Sequence, residues 1–241
     1  MRILLINPNT TETVTALVAR HVTGIAGDAA NVIPVTGRFG ARYISTRATA
    51  AIAGHAALDA YAMHGAGCDA VYLACFGDPG LLALREVAQV PVVGMAEASC
   101  IEAAKRGRFA IVTGGALWGP MLTEFVASIG LADRLTGVRT IAPTGGEIAT
   151  NPEAALASLA KACTACARDD GADVVILGGA ALAGLAARIQ PDVPVPVLCS
   201  VATGTHAVIA AAKRERGDAA PPLALESIGL SAELATLLQR K

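Results

Sequence analysis

Short apolar runs alternate along this chain with longer stretches in which small apolar residues recur every three or four positions. The runs at 3–6, 31–35, 70–74, 90–94, 109–113, 138–142, 173–177 and 195–198 are short and rich in Val, Ile and Leu. Their apolar character on both faces suits strands of a buried parallel sheet. The stretches 11–26, 47–65, 80–88, 96–106, 117–129, 152–170, 181–189 and 202–216 are longer and Ala-rich, which suits helices. Strand after helix after strand predicts an α/β fold with helices on both faces of a parallel sheet.

The pattern also repeats. Ile3-Leu4-Leu5-Ile6-Asn7-Pro8-Asn9-Thr10 corresponds to Ala110-Ile111-Val112-Thr113-Gly114-Gly115. Asp69-Ala70-Val71-Tyr72-Leu73-Ala74-Cys75 corresponds to Asp173-Val174-Val175-Ile176-Leu177-Gly178-Gly179. Val90-Pro91-Val92-Val93-Gly94 corresponds to Val195-Pro196-Val197-Leu198-Cys199. Pro91 follows Cys75 by 16 residues and Pro196 follows Gly179 by 17. The expected organisation is two pseudo-symmetric lobes of parallel sheet, residues 1–105 and 106–215, with the active site in the cleft between facing strand ends. A tail over 216–241 is expected to carry a helix back toward the first lobe.

Composition narrows the class. Hydrophobic residues make up 54% of 241, aromatics 3% and charged residues 16%. That profile reads as a tightly packed α/β enzyme with a large core. The net charge of −1 gives no sign of a nucleic-acid or membrane-surface partner. No apolar run approaches the roughly 20 residues that span a bilayer. The start reads as a strand rather than a signal peptide, and six cysteines then suggest free thiols in a reducing cytoplasm.

Candidate chemistry gathers at the strand ends. Ala74-Cys75-Phe76-Gly77-Asp78-Pro79-Gly80 follows an apolar run. A thiol there points into the crevice where α/β sheets hold ligands, beside turn N–H groups able to bind an anion. Asn7 and Asn9 follow the first strand. They read as substrate contacts, or as caps of the next helix, or both. Thr113 and Gly114 take the equivalent place in the second half. Arg47, after Tyr43-Ile44-Ser45-Thr46, reads as a solvated helix-start residue, or as a binder of a substrate carboxylate or carbonyl, and this segment is where substrate specificity is expected. Cys199 aligns with Gly94 at a strand end. Cys68 and Cys100 read as packing thiols. Cys163 and Cys166 form C-x-x-C, but inside an apparent helix and without a second pair at metal spacing. His206 reads as a helix histidine. Asp78 and Glu97 read as turn and helix-start groups.

The pieces Ile6-Asn7-Pro8-Asn9-Thr10-Thr11, Ala74 to Leu81, Pro91-Val92-Val93-Gly94-Met95-Ala96-Glu97-Ala98, Arg108-Phe109-Ala110-Ile111-Val112-Thr113 and Val175-Ile176-Leu177-Gly178-Gly179-Ala180 stand in collinear order over nearly the whole chain. On them the chain resembles the aspartate/glutamate/hydantoin racemase superfamily, with the hydantoin and allantoin racemases nearest. The resemblance implies a homo-oligomer acting on a small-molecule substrate with no metal and no organic cofactor. It also implies two cysteines facing each other across an acidic carbon, one removing the proton and one returning it. Cys75 matches the first. Gly179 stands where the second is expected: the family reads Gly-Cys-Ala-Gly and this chain reads Gly178-Gly179-Ala180-Ala181. Arylmalonate decarboxylase, a relative with a single cysteine, keeps the one in its second half instead.

Three readings follow. The first is a racemase or epimerase acting on a hydantoin-like or ureido compound, with Cys199, His206 or water supplying the second proton. The second is a one-thiol lyase, decarboxylase or ring-modifying enzyme. The third is a ligand-binding protein without catalysis, against which the intact Cys75 loop speaks. In the first two, Cys75 is the catalytic thiol. The backbone of Phe76, Gly77, Gly179 and Ala180, with Asn7, Asn9 and Thr113, would hold the substrate carbonyls and the enolate. Anion-binding turns and helix N-termini are expected to lower the pKa of Cys75.

Overall fold

The structure, a computed structural model, describes residues 1–142, 144–214 and 226–239. Strands β1 (Arg2–Asn7), β2 (Asn31–Thr36), β3 (Ala70–Leu73) and β4 (Val92–Gly94) form one sheet in the order β2-β1-β3-β4. Strands β5 (Phe109–Gly114), β6 (Leu135–Ile141), β7 (Val174–Leu177) and β8 (Val197–Cys199) form a second in the order β6-β5-β7-β8. Every pairing in both is parallel. All eight expected strands appear, each within a few residues of its expected place.

Helices α1 (Glu12–Ala26), α2 (Arg47–His64), α3 (Leu81–Val87) and α4 (Met95–Ala104) accompany the first sheet. Helices α5 (Trp118–Ser128), α6 (Gly145–Thr150), α7 (Pro152–Arg168), α8 (Leu185–Ile189) and α9 (Ser200–Ala212) accompany the second, and α10 (Ala232–Leu238) closes the described chain.

Alternation along each central strand builds the layers. Ile3 and Leu5 of β1 face a core shared between the lobes, while Leu4 and Ile6 face an outer core of the first lobe. Phe109 and Ile111 of β5 join the shared core, while Ala110 and Val112 face the outer core of the second lobe. The shared core also takes Val18 and Val22 of α1, Met95 and Cys100 of α4, and Val201 and Val208 of α9. The lobes are therefore joined by buried apolar surface. Burial at roughly 25 cal/mol per Å² makes such an interface hard to open.

The differences from expectation are local. Helix α6 was not anticipated, and the helix expected from residue 181 begins only at Leu185. Residues Ala180–Leu182 form a tight 3₁₀ turn first, and Gly184 at φ 81° restarts the helix. The helix expected over 202–216 ends at Ala212, and residues 215 and 216 lie outside the described residues. Of the tail expected over 216–241, residues 216–225, 240 and 241 also lie outside them. Its remainder, α10, packs on α2. There Ser231 donates to Asp59 (2.6 Å), which also takes two bonds from Arg38 (2.9 Å each).

In each sheet the chain runs from the central strand to one neighbour, then crosses to the other side. The switch falls between β1 and β3, and again between β5 and β7. Crevices open outside the carboxyl ends of strands at such points. Here the two switch points face each other.

Candidate active site

The loops leaving β1, β3, β5 and β7 converge on one cavity of about 630 Å³, its open mouth included. Asn7, Asn9, Cys75 and Phe76 come to it from the first lobe, and Thr113, Gly114, Gly179 and Ala180 from the second.

The Cys75 loop is pinned from behind. Asp78 adopts φ 48°, the one described non-glycine residue at positive φ. Its N–H donates to Cys75 O (3.0 Å). Its buried carboxyl accepts from Ala96 N (2.9 Å) and Glu97 N (2.7 Å) at the first turn of α4. Burial outweighs those two bonds and pushes the Asp78 carboxyl up to about 7. Glu97 is held by Arg85 (2.9 Å).

Burial also pushes the Cys75 thiol well up, and Asp78 reinforces the shift. The expected lowering by turn and helix dipoles is therefore overturned. Desolvation of a fully enclosed sulfur exceeds what the nearby backbone dipoles return.

Asn7 is committed to the scaffold. Its side-chain N–H groups reach Asn9 Oδ1 (2.9 Å) and Thr15 Oγ1 (2.9 Å). Asn9 Oδ1 also accepts from Thr11 N (2.8 Å) at the start of α1. Among the described residues nothing accepts from Asn9 Nδ2, and no buried polar side-chain atom is left unpartnered. That amide is thus open to the cavity. The Thr113 hydroxyl is likewise without a partner among the described residues and open, 3.8 Å from where a Cβ on Gly179 would stand.

The second-lobe loop is built on close approach. A Cβ on Gly178 would lie 2.4 Å from the Phe76 ring, so the seam between the lobes needs glycine there. Gly179 has φ 141°, where side chains are strained. Its N–H donates to Ser200 Oγ (3.1 Å) at the head of α9. That bond occupies the donor expected for a substrate carbonyl.

Three expected contacts stand apart. Gly77 lies behind the wall against the Trp118 ring. Cys199 ends β8, just before α9, and lies away from the cavity, as does His206. Arg47 is exposed and pairs with Glu124 on α5. It spans the two lobes outside the cavity, because its position at the head of α2 aims the long side chain along the surface. The C-x-x-C thiols Cys163 and Cys166 are buried on α7. Among the described residues no three His, Cys, Asp or Glu side chains converge, and no helix is long and apolar enough to cross a membrane.

Sequence reasoning expected specificity in the segment that carries Tyr43 without assigning that side chain a role, and missed Arg42, Trp118 and the start of α6; all four line the cavity. Tyr43 donates to Gly114 O (3.0 Å) from the loop between β2 and α2. One signal was available for α6. Thr144 and Glu147 form a reciprocal capping box, and T-x-x-E is legible in a sequence. The loop carrying Tyr43 has no periodicity to read.

A profile of the Asp/Glu/hydantoin racemase family matches residues 3–208. The chain is 31% identical over 206 residues to a hydantoin racemase of a Pseudomonas species, covering 85% of this chain and 83% of that one. The allantoin racemase of Pseudomonas fluorescens superposes with a TM-score of 0.84 at 28% identity, covering 87% of this chain and 90% of that one. The allantoin racemase of Klebsiella pneumoniae superposes with a TM-score of 0.83 at 29% identity, covering 98% of each chain.

Proposed function

This chain belongs to the Asp/Glu/hydantoin racemase family, and from that premise we propose a racemase that moves a proton on a small hydantoin-like or ureido compound. The carbon attacked is acidic because it neighbours a carbonyl. The observation that carries the reading is the meeting of two matching strand-end loops around one buried thiol, Cys75.

Removing such a proton needs a base in contact with the carbon and donors facing the developing enolate oxygen. Cys75 is the base once its proton is shed. Asn9 Nδ2 and the Thr113 hydroxyl supply donors, since neither is committed elsewhere among the described residues. The Gly179 N–H is spoken for by Ser200, so the enolate leans on these side chains instead. Phe76 and Trp118 give the substrate ring an apolar wall.

The same reading places the enzyme in the cytoplasm as a homo-oligomer that needs no cofactor. Six cysteines joined by no disulfide support the first, and the exposed Leu82 and Ile101 support self-association. The chain divides on this reading into lobes 1–105 and 106–215, with 216–241 returning to the first.

A second reading has one observation in its favour. Gly179 brings no side chain opposite Cys75, and a thiol that is protonated at rest can hand its proton to a carbanion on one face. That would suit a lyase or decarboxylase.

The deciding experiment incubates one enantiomer of 5-benzylhydantoin with the protein in D₂O, with an enzyme-free control. NMR reports deuterium entry at the acidic carbon and circular dichroism reports configuration. Deuterium entry with loss of optical signal, both above control, is expected. Exchange with retained configuration would move the assignment to the one-sided reading. No exchange would remove the hydantoin-like substrate.

A further inference from the structure

The proposed racemisation needs a second proton carrier, and Gly179 has none to offer. Of the described residues lining the cavity, only Cys75, Tyr43 and Arg42 titrate. A guanidinium keeps its proton under any condition the fold survives. We propose that Tyr43 is the second catalytic residue, passing a proton to and from the face of the substrate opposite Cys75. This inference rests on the racemase reading above.

The placement supports it. Cys75 enters the cavity from the first lobe, at the end of β3. Tyr43 starts from a first-lobe loop, but its hydroxyl comes to rest on the second lobe, donating to Gly114 O at the end of β5. Both groups line the same cavity, and on this inference a flat enolate held there would have sulfur on one side and the phenol on the other. The second lobe makes room for the ring. A Cβ on Gly145 would stand 3.0 Å from Tyr43, and one on Gly115 would stand 3.2 Å from its hydroxyl. The loop bearing Tyr43 is tied down by Thr11 Oγ1 donating to Arg42 O (2.7 Å) and Thr10 N donating to Ala41 O (3.2 Å).

The electrostatics agree. Burial pushes the hydroxyl up, so the phenol keeps its proton until the substrate calls for it. The Gly145 N–H and the Trp118 indole act the other way and would steady a phenolate. A negative charge on Cys75 also raises Tyr43, which shows that the two groups feel each other.

The step balances with one proton fewer on the pair than in the resting site. The Cys75 thiolate takes the proton from the substrate: the C–H bond breaks, an S–H bond forms, and the electron pair moves into the enolate. The enolate carbon then takes the Tyr43 proton on the other face. A C–H bond forms, an O–H bond breaks, and a phenolate remains. The opposite enantiomer runs the same sequence backwards. Nothing is oxidised or reduced.

The test compares wild type with Tyr43→Phe in the D₂O experiment, each folded by circular dichroism. Wild type is expected to exchange and racemise. Tyr43→Phe is expected to lose racemisation by about 100-fold or more while keeping one-face exchange within about threefold, the loss of a single acid–base group. That surviving exchange also shows that the variant is folded and that Cys75 works. Racemisation close to wild type in Tyr43→Phe overturns the inference. So does equal loss of exchange and racemisation, which would mean that the hydroxyl only positions the loop. A wild type that exchanges on one face alone overturns it while leaving Cys75 in place. A wild type that exchanges nothing overturns the underlying reading and this inference together.

Discussion

The two lobes use one scaffold and end it differently. Each has a central pair of parallel strands, and in each the loop after the second of these is tied to the helix that follows the next strand. In the first lobe the tie runs forward: the Asp78 carboxyl in the loop reaches the N–H groups of Ala96 and Glu97 in α4. In the second lobe it runs backward: Ser200 at the head of α9 reaches the N–H of Gly179 in the loop. The first arrangement leaves a thiol facing the cavity, and the second leaves bare backbone. Either tie is worth about 1 kcal/mol or somewhat more. The difference teaches that a duplicated fold can change its chemistry at one strand end without disturbing the sheet beneath, because the sheet is held by core packing and the loop by only one or two side-chain hydrogen bonds.

The strongest way to break this comparison is to make the first lobe resemble the second. Cys75→Ala removes the only thiol at the cavity and is expected to slow deuterium exchange by about 1000-fold, the upper range for a lost acid–base group. Thermal unfolding should show the variant folded. Exchange at the wild-type rate would mean that the proton leaves by another route.

The next step makes the second lobe resemble the first. A Cβ at position 179 would meet Leu182 at 3.5 Å and Thr113 Oγ1 at 3.8 Å, which is ordinary contact. Space is therefore available, but the backbone at φ 141° is strained for any side chain. Gly179→Cys is expected to lower the melting temperature by a few degrees, matching a strain of about 1–2 kcal/mol. In the Tyr43→Phe background it should raise racemisation about tenfold by returning a thiol to the second face. A chiral assay reads the result, and no gain would place residue 179 off the proton's path.

The smallest effect is expected at Arg47. Its exposed pair with Glu124 bridges the lobes outside the cavity. Arg47→Ala should change stability by less than about 1 kcal/mol and leave the Michaelis constant unchanged. A large rise in that constant would restore Arg47 to substrate recognition.

Much of the scaffold was legible. Apolar runs of four or five residues between Ala-rich stretches identify parallel strands and their helices, and the repeat of Asp69 to Cys75 at Asp173 to Gly179 identifies two related halves. The strand-end residues Asn7, Asn9, Cys75, Thr113 and Gly179 could be named in advance, because strand ends carry ligands in such sheets. Arg47 and Cys199 could be named too, yet side-chain direction at a helix start or strand end is not written in spacing. The roles of Tyr43 and Trp118 escaped notice because neither belongs to a repeat, and each acquires meaning only beside the other lobe.

The sequence by itself determined the order of strands and helices, the doubling of the fold and the loss of a thiol at position 179, since each depends on residue type and local period. The tertiary structure alone decided that Tyr43 meets Gly114, that Ser200 occupies the Gly179 N–H, and that burial pushes the Cys75 thiol up rather than down. Those outcomes depend on which groups from distant segments exclude water from one another. That is set when two lobes close on a shared core, and no single stretch of chain records it.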